Sequence, residues 1–160
     1  MKKILFIFLS INLLSPNFQK AYSDVLSGQY LDKYNEAIDL INNEKHFQAE
    51  KKCDEVIKLS PEEKRGYLCK GIATGFSSKP KKIEALKNFT KAINIDPEFY
   101  EAYYWRGALQ FSMRRNNMSK IDRTACIDIK KAYLNGFAYA IDYVNESKAF
   151  LRRDKCTGFY

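Results

Sequence analysis

The chain has 160 residues, 46% of them apolar and 29% charged, and a formal charge of +8. This is the length of one domain with enough apolar side chains for a core, which excludes global disorder. One histidine and four cysteines without a CxxC pair give no metal-ligand spacing, so a conventional metal centre is excluded as well.

Lys2 and Lys3 precede an apolar run from Ile4 to Leu14, Pro16 breaks it, and Ala21-Tyr22-Ser23 supplies small residues around a polar joint. Residues 1–23 therefore read as a secretory signal peptide cleaved after Ser23. The alternative, an uncleaved anchor, needs about 20 apolar residues to span a bilayer. Export to the periplasm or the medium is the expectation. Removal of Lys2, Lys3 and Lys20 leaves 24 basic against 19 acidic residues, a charge of +5. A modest positive charge suits an anionic membrane surface or an acidic protein and does not point to nucleic acid.

After a short linker at 24–29, a first helix carries Tyr30, Tyr34, Ala37 and Ile41 at helical spacing, and Asn42-Asn43 stops it. A second helix, from about Phe47, places Ala49, Cys53, Val56 and Ile57 on one face. Ser60 is positioned to cap the next helix, with Pro61 at its first position and Glu63 at capping-box spacing. The same order recurs at Asp96-Pro97-Glu98. Unit two runs from Pro61 to Ile95 around a turn at Ser77 to Lys82. Unit three starts at Pro97 with an aromatic-rich helix through Met113, turns at Arg114 to Ser119, and continues from about Lys120 to Leu134 with Ala125, Ile129 and Ala132. Asn135-Gly136 ends it. A last amphipathic helix over 137–153, with Phe137, Ala140, Ile141, Val144 and Leu151, covers the open end, and 154–160 is a tail. No segment favours a strand, so the chain reads as all-α.

The units repeat one another. Ala49, Cys53, Val56 and Pro61 recur 36 residues later as Ala85, Phe89, Ala92 and Pro97. Tyr67-Leu68-Cys69-Lys70-Gly71 recurs as Tyr103-Tyr104-Trp105-Arg106-Gly107. A period of this size marks stacked units that bury their apolar faces against their neighbours. The pattern Ala85-x3-Phe89-x2-Ala92-x4-Pro97 with Tyr103-x3-Gly107 resembles the tetratricopeptide repeat (TPR) over residues 30–136. Gly71 with Ala85, and Gly107 with Ala125, resemble the family's helix-crossing pairs, and Tyr67, Tyr103 and Phe89 its gap fillers. The departures are longer internal turns in units two and three, Gly136-Phe137 in place of a proline, and no clear glycine in unit one. The resemblance implies three helix–turn–helix units in a right-handed stack plus a capping helix. It also implies a groove lined by the first helix of each unit, binding of a protein or peptide partner, no cofactor and no chemistry.

On that basis the expected groove residues are Leu31 and Ile38, then Leu68 and Ile72 with Arg65 at the rim, then Tyr104, Ala108 and Phe111. The competing reading of such a stripe is plain packing, with the last helix folded over the inner face. Some family members grip a C-terminal carboxylate with basic and asparagine side chains; Tyr34, Ile38, Leu68 and Ile72 do not supply that chemistry. A second candidate surface is the edge of internal turns, where Lys79, Lys81, Lys82, Arg114, Arg115 and Lys120 gather, with an ordinary solvated edge as the alternative. It suits anionic lipid or an acidic protein. Cys53 lies eight residues before Pro61 and Cys69 eight after it, so antiparallel helices joined there bring them level. They are candidates for a disulfide, with two buried thiols as the alternative. Cys126 pairs with Cys156 only if the tail folds back. His46 reads as a solvated turn residue, and Asp122 and Asp128 as helix-surface carboxylates. Without a phosphate loop or a cysteine–histidine pairing, an exported interaction module or scaffold is expected, and an enzyme is not.

Overall fold

The computed structural model describes residues 16–113, 123–146 and 156, with side chains from Ser27 onward. Among them are seven helices and no strand. They are α1 (Pro16–Asn42), α2 (His46–Leu59), α3 (Lys64–Gly75), α4 (Lys82–Ile95), α5 (Tyr100–Met113), α6 (Arg123–Leu134) and α7 (Ala138–Glu146). Segment 24–29, expected as a linker, is helical: α1 starts at Pro16 and runs 27 residues. Residues 1–15 of the expected leader, 114–122 of the third turn and 147–153 of the last helix lie outside the described residues. No helix described is long and apolar enough to cross a membrane.

The helices pair as α1/α2, α3/α4 and α5/α6, and each pair packs on the next through α2/α3 and α4/α5. The odd helices also touch one another, α1 to α3 and α3 to α5, and so form one layer. The equivalent small and apolar positions Ala49, Cys53 and Val56, then Ala85, Phe89 and Ala92, then Ala125, Ile129 and Ala132 are all fully buried. The first two sets are 36 residues apart and the third follows after 40, the longer turn of unit three accounting for the difference. At the crossings the fit is tight enough to require glycine. A Cβ on Gly71 would lie 2.4 Å from Phe89 Cε1, and one on Gly107 would lie 2.9 Å from Ile129 Cγ1 and 3.0 Å from the Ala125 carbonyl oxygen. The partner of Gly71 is thus Phe89, and Ala85 packs against Gly75 instead.

Helix ends follow local chemistry with one shift from expectation. Ser60 does not cap α3; it terminates α2, and its carbonyl accepts from Glu63 N–H at 3.1 Å. The cap of α3 is Glu63, whose carboxylate accepts from the Arg65 N–H. Asp96 and Phe99 repeat that closure at 3.1 Å, so each proline sits in a one-turn join and the next helix starts three residues later. At the end of α6, Gly136 has φ 78°, and the Gly136 and Phe137 N–H groups donate to Tyr133 and Ala132 carbonyls. That left-handed cap reverses the chain and lays α7 against α6.

The seams are also tied by polar groups. Arg106 on α5 donates through Nε at 2.7 Å and Nη2 at 2.9 Å to the two carboxylate oxygens of Asp128 on α6, and through Nη1 to Thr90 Oγ1 on α4. Asp128 is 3% exposed, so it is a buried structural anchor and not the surface carboxylate expected; Asp122 lies outside the described residues. Cys53 of α2 and Cys69 of α3 are disulfide-bonded, with Cα atoms 5.8 Å apart. Cys126 of α6 is bonded to Cys156, which is buried, so this point of the expected tail returns to the core.

Candidate functional site: the inner aromatic face

The inner layer exposes one face of α1, α3 and α5. Helical spacing puts Leu31, Tyr34 and Ile38 on that face of α1, Arg65, Ile72 and Phe76 on that of α3, and Glu101, Tyr104, Trp105 and Ala108 on that of α5. The rings are in contact across helices. Phe76 meets Trp105 edge-on at 5.2 Å between centroids, and Trp105 meets Tyr104 at 5.2 Å.

Three of the expected groove residues are placed otherwise. Leu68 is 1% exposed and belongs to the core with Ile72, which is also buried. Phe111 is 6% exposed and stacks on Tyr143 of α7. Tyr104 also meets α7, through Phe137 at 5.5 Å and Tyr143 at 6.1 Å. The last helix therefore covers the far end of the inner face, because its aromatic stripe finds apolar partners there. What stays accessible is Leu31 and Arg65, with Ile38, Tyr104 and Ala108 half-buried.

Polar groups from three units converge beside these rings. Glu101 is partly buried, and its carboxylate accepts only from Trp105 Nε1, at 3.4 Å. Burial pushes its carboxyl above the ordinary range, against the pull of the Trp105 hydrogen bond and the Arg65 charge. The Tyr34 phenol is pushed up to about 12, first by burial and then by the Glu101 carboxylate. Burial, and then Glu63, also hold the Tyr30 phenol well above its usual value. Tyr34, Arg65 and Glu101 thus feel one another across α1, α3 and α5. Sequence reasoning missed Glu101, Phe76 and Trp105 as surface residues. Their only sequence signal was position on the stripe shared with Arg65 and Tyr104.

The turn edge is a separate surface. A recess of about 740 Å³ there is lined by His46, Phe47, Thr74, Phe76, Lys79 and Lys81 among others. His46 opens α2 and is partly buried, not a solvated turn residue. The basic character is partly neutralised: Lys81 pairs with Glu50 at 2.6 Å, and Lys82 Nζ donates to Ser112. Lys79 is exposed; Arg114, Arg115 and Lys120 lie outside the described residues. Among the described residues no group of three histidine, cysteine or acidic side chains is arranged to hold a metal ion.

No family model matches the chain, and no curated protein does either. Solved structures do. The second TPR of Spaghetti (RPAP3), bound to the HSP90 peptide SRMEEVD, superposes with a TM-score of 0.56 at 18% identity, over 69% of this chain and 97% of that one. The TPR2AB domain of yeast Sti1 in its pHSP90 complex gives 0.56 at 22% identity, over 88% of this chain and half of that one.

Proposed function

We propose that this chain, TPR-like in fold, is an exported peptide- or protein-binding module that presents the inner face of α1, α3 and α5 to an extended partner, as a scaffold or assembly factor. The observation that carries this reading is the half-buried set of Tyr34, Phe76, Tyr104 and Trp105 on the inner face, beside the exposed Leu31 and Arg65. Large rigid side chains with one hydrogen-bonding end supply contact area at low entropic cost. The peptide held by the Spaghetti structure lends support by analogy of fold. Export is supported by the leader pattern and by two disulfides, which persist in oxidising compartments.

Trp105 is the sole tryptophan, so its fluorescence reports directly on the face. Titration with an immobilised peptide library is expected to yield ligands that shift this emission, and Tyr34→Ala is expected to weaken them about tenfold or more. A library with no ligand would remove the reading. Cell fractionation with thiol alkylation and mass spectrometry tests export; a reduced cytosolic protein would contradict it.

A second reading is favoured by a specific observation on the turn edge. Phe47 and Ile83 occupy equivalent positions 36 residues apart and are 69% and 61% exposed, beside Lys45, Lys79 and Lys82. Exposed apolar side chains among lysines suit the interface of an anionic bilayer. Sedimentation with phosphatidylglycerol vesicles at low salt, lost in Phe47→Asp/Ile83→Asp, is the expected result; wild-type protein left in the supernatant would exclude it.

A further inference from the structure

Resting on the inner-face reading, we infer that the partner segment carries a lysine or arginine side chain, and that Glu101 is the residue that selects it. Several carboxylates that tie neighbouring helices of the stack hold a cation. Asp54 and Glu84 share Lys70, Glu50 has Lys81, Asp96 has Lys64, Glu55 has Lys33, and Asp128 has Arg106. Each has a cation within 4.0 Å. Glu101 has none among the described residues, although it is more withdrawn from water than a surface carboxylate. A partly desolvated carboxylate with a single long hydrogen bond is under-compensated.

Its surroundings favour one sign of charge. Trp105 donates its indole N–H to the carboxylate, and the Tyr34 phenol is close enough to be held protonated partly by it. Ring faces attract cations and disfavour anions. A lysine or arginine entering here would meet a carboxylate and aromatic faces together, where lowered exposure to water strengthens the ion pair. Arg65 is the internal competitor. It lies across the face on α3, acts on Glu101 through its field, and is exposed with no ion pair among the described residues. A ligand cation must displace that influence, which makes Arg65 a brake on binding and not a contributor.

The test uses the whole chain and acetylated, amidated octapeptides of leucine, tyrosine and alanine, with lysine, norleucine or glutamate at one scanned position. Norleucine keeps the length of lysine without its charge. At the best position, wild-type protein is expected to bind the lysine peptide about tenfold more tightly than the norleucine peptide, the ratio conferred by one charge-assisted contact. Glu101→Gln is expected to erase the ratio by bringing the lysine peptide down to the level of the norleucine peptide, and Arg65→Ala to widen it. Glu101→Gln removes a desolvated charge, so it is expected to fold as well as the wild type, and circular dichroism verifies this. Lysine preference persisting in Glu101→Gln, or equal binding of all three peptides by the wild type, would overturn the selectivity while leaving the inner face as a peptide site. Failure of every peptide to bind would overturn both.

Discussion

Asp128 and Glu101 are both carboxylates drawn away from water, and they sit at opposite ends of a scale of compensation. Asp128, on α6 of unit three, is gripped in two places by Arg106 of α5, which also donates to Thr90 of unit two. Glu101, five residues before Arg106 and on the other side of α5, has an indole N–H at 3.4 Å and, among the described residues, no cation. The packed side of α5 closes its charge because α4, α5 and α6 must meet in one register. The inner face leaves its charge open because no described residue is positioned to close it. The two halves of one helix thus separate what holds the stack together from what the stack offers to a partner.

The largest effect is expected at the closed pair. Asp128→Ala strands Arg106 between α4 and α6 and is expected to cost about 3–5 kcal/mol in urea unfolding. The double variant Arg106→Met/Asp128→Leu is expected to regain most of that loss, since a buried pair exchanged for apolar groups is often neutral. A cost below about 1 kcal/mol would place this pair with ordinary surface bridges and erase the contrast. Next, Cys53→Ser/Cys69→Ser opens a bridge across 16 residues and is expected to lower stability by about 3 kcal/mol through unfolded-chain entropy. Thermal melts of the variant and of the wild type without reductant read this shift; reductant, which opens Cys126–Cys156 as well, should shift the wild type further. Gly71→Ala, which drives a methyl into Phe89 at the crossing, is expected to cost about 1–3 kcal/mol.

The smallest effect belongs to the open carboxylate, and its sign is opposite. Folding raises the Glu101 pKa, so the folded state binds its proton more tightly than the unfolded chain. Its contribution favours folding below the ordinary carboxylate range and is lost as pH rises from there through the raised value. Glu101→Gln is therefore expected to match or slightly exceed wild-type stability at neutral pH and to remove that downward slope. Melts at a series of pH values between 4 and 7 check it, and a destabilised Glu101→Gln would mean that the carboxylate is already satisfied within the chain.

The stack itself was legible because its determinants are local or strictly periodic. Alanines at 49, 85 and 125 and glycines at 71 and 107 are small where helices cross, and each proline join stops one helix before the next begins. The capping residue was misplaced by three positions, since Ser60 and Glu63 both satisfy the pattern and only the one-turn join after Pro61 selects Glu63. Leu68 and Phe111 were misread for a different reason. Position on a stripe tells which way a side chain points, while exposure depends on what arrives from elsewhere, and α7 arrives on Phe111.

Residue order by itself determined that the chain is all helical, that its units repeat, and which positions must stay small at the crossings, because these follow from spacing within a few turns of helix; that Gly71 meets Phe89 and not Ala85 came from the packing. Only the tertiary structure decided that Tyr34, Arg65 and Glu101 act on one another. They lie 31 and 36 residues apart in the chain, and no local pattern conveys that three different units bring them to one face.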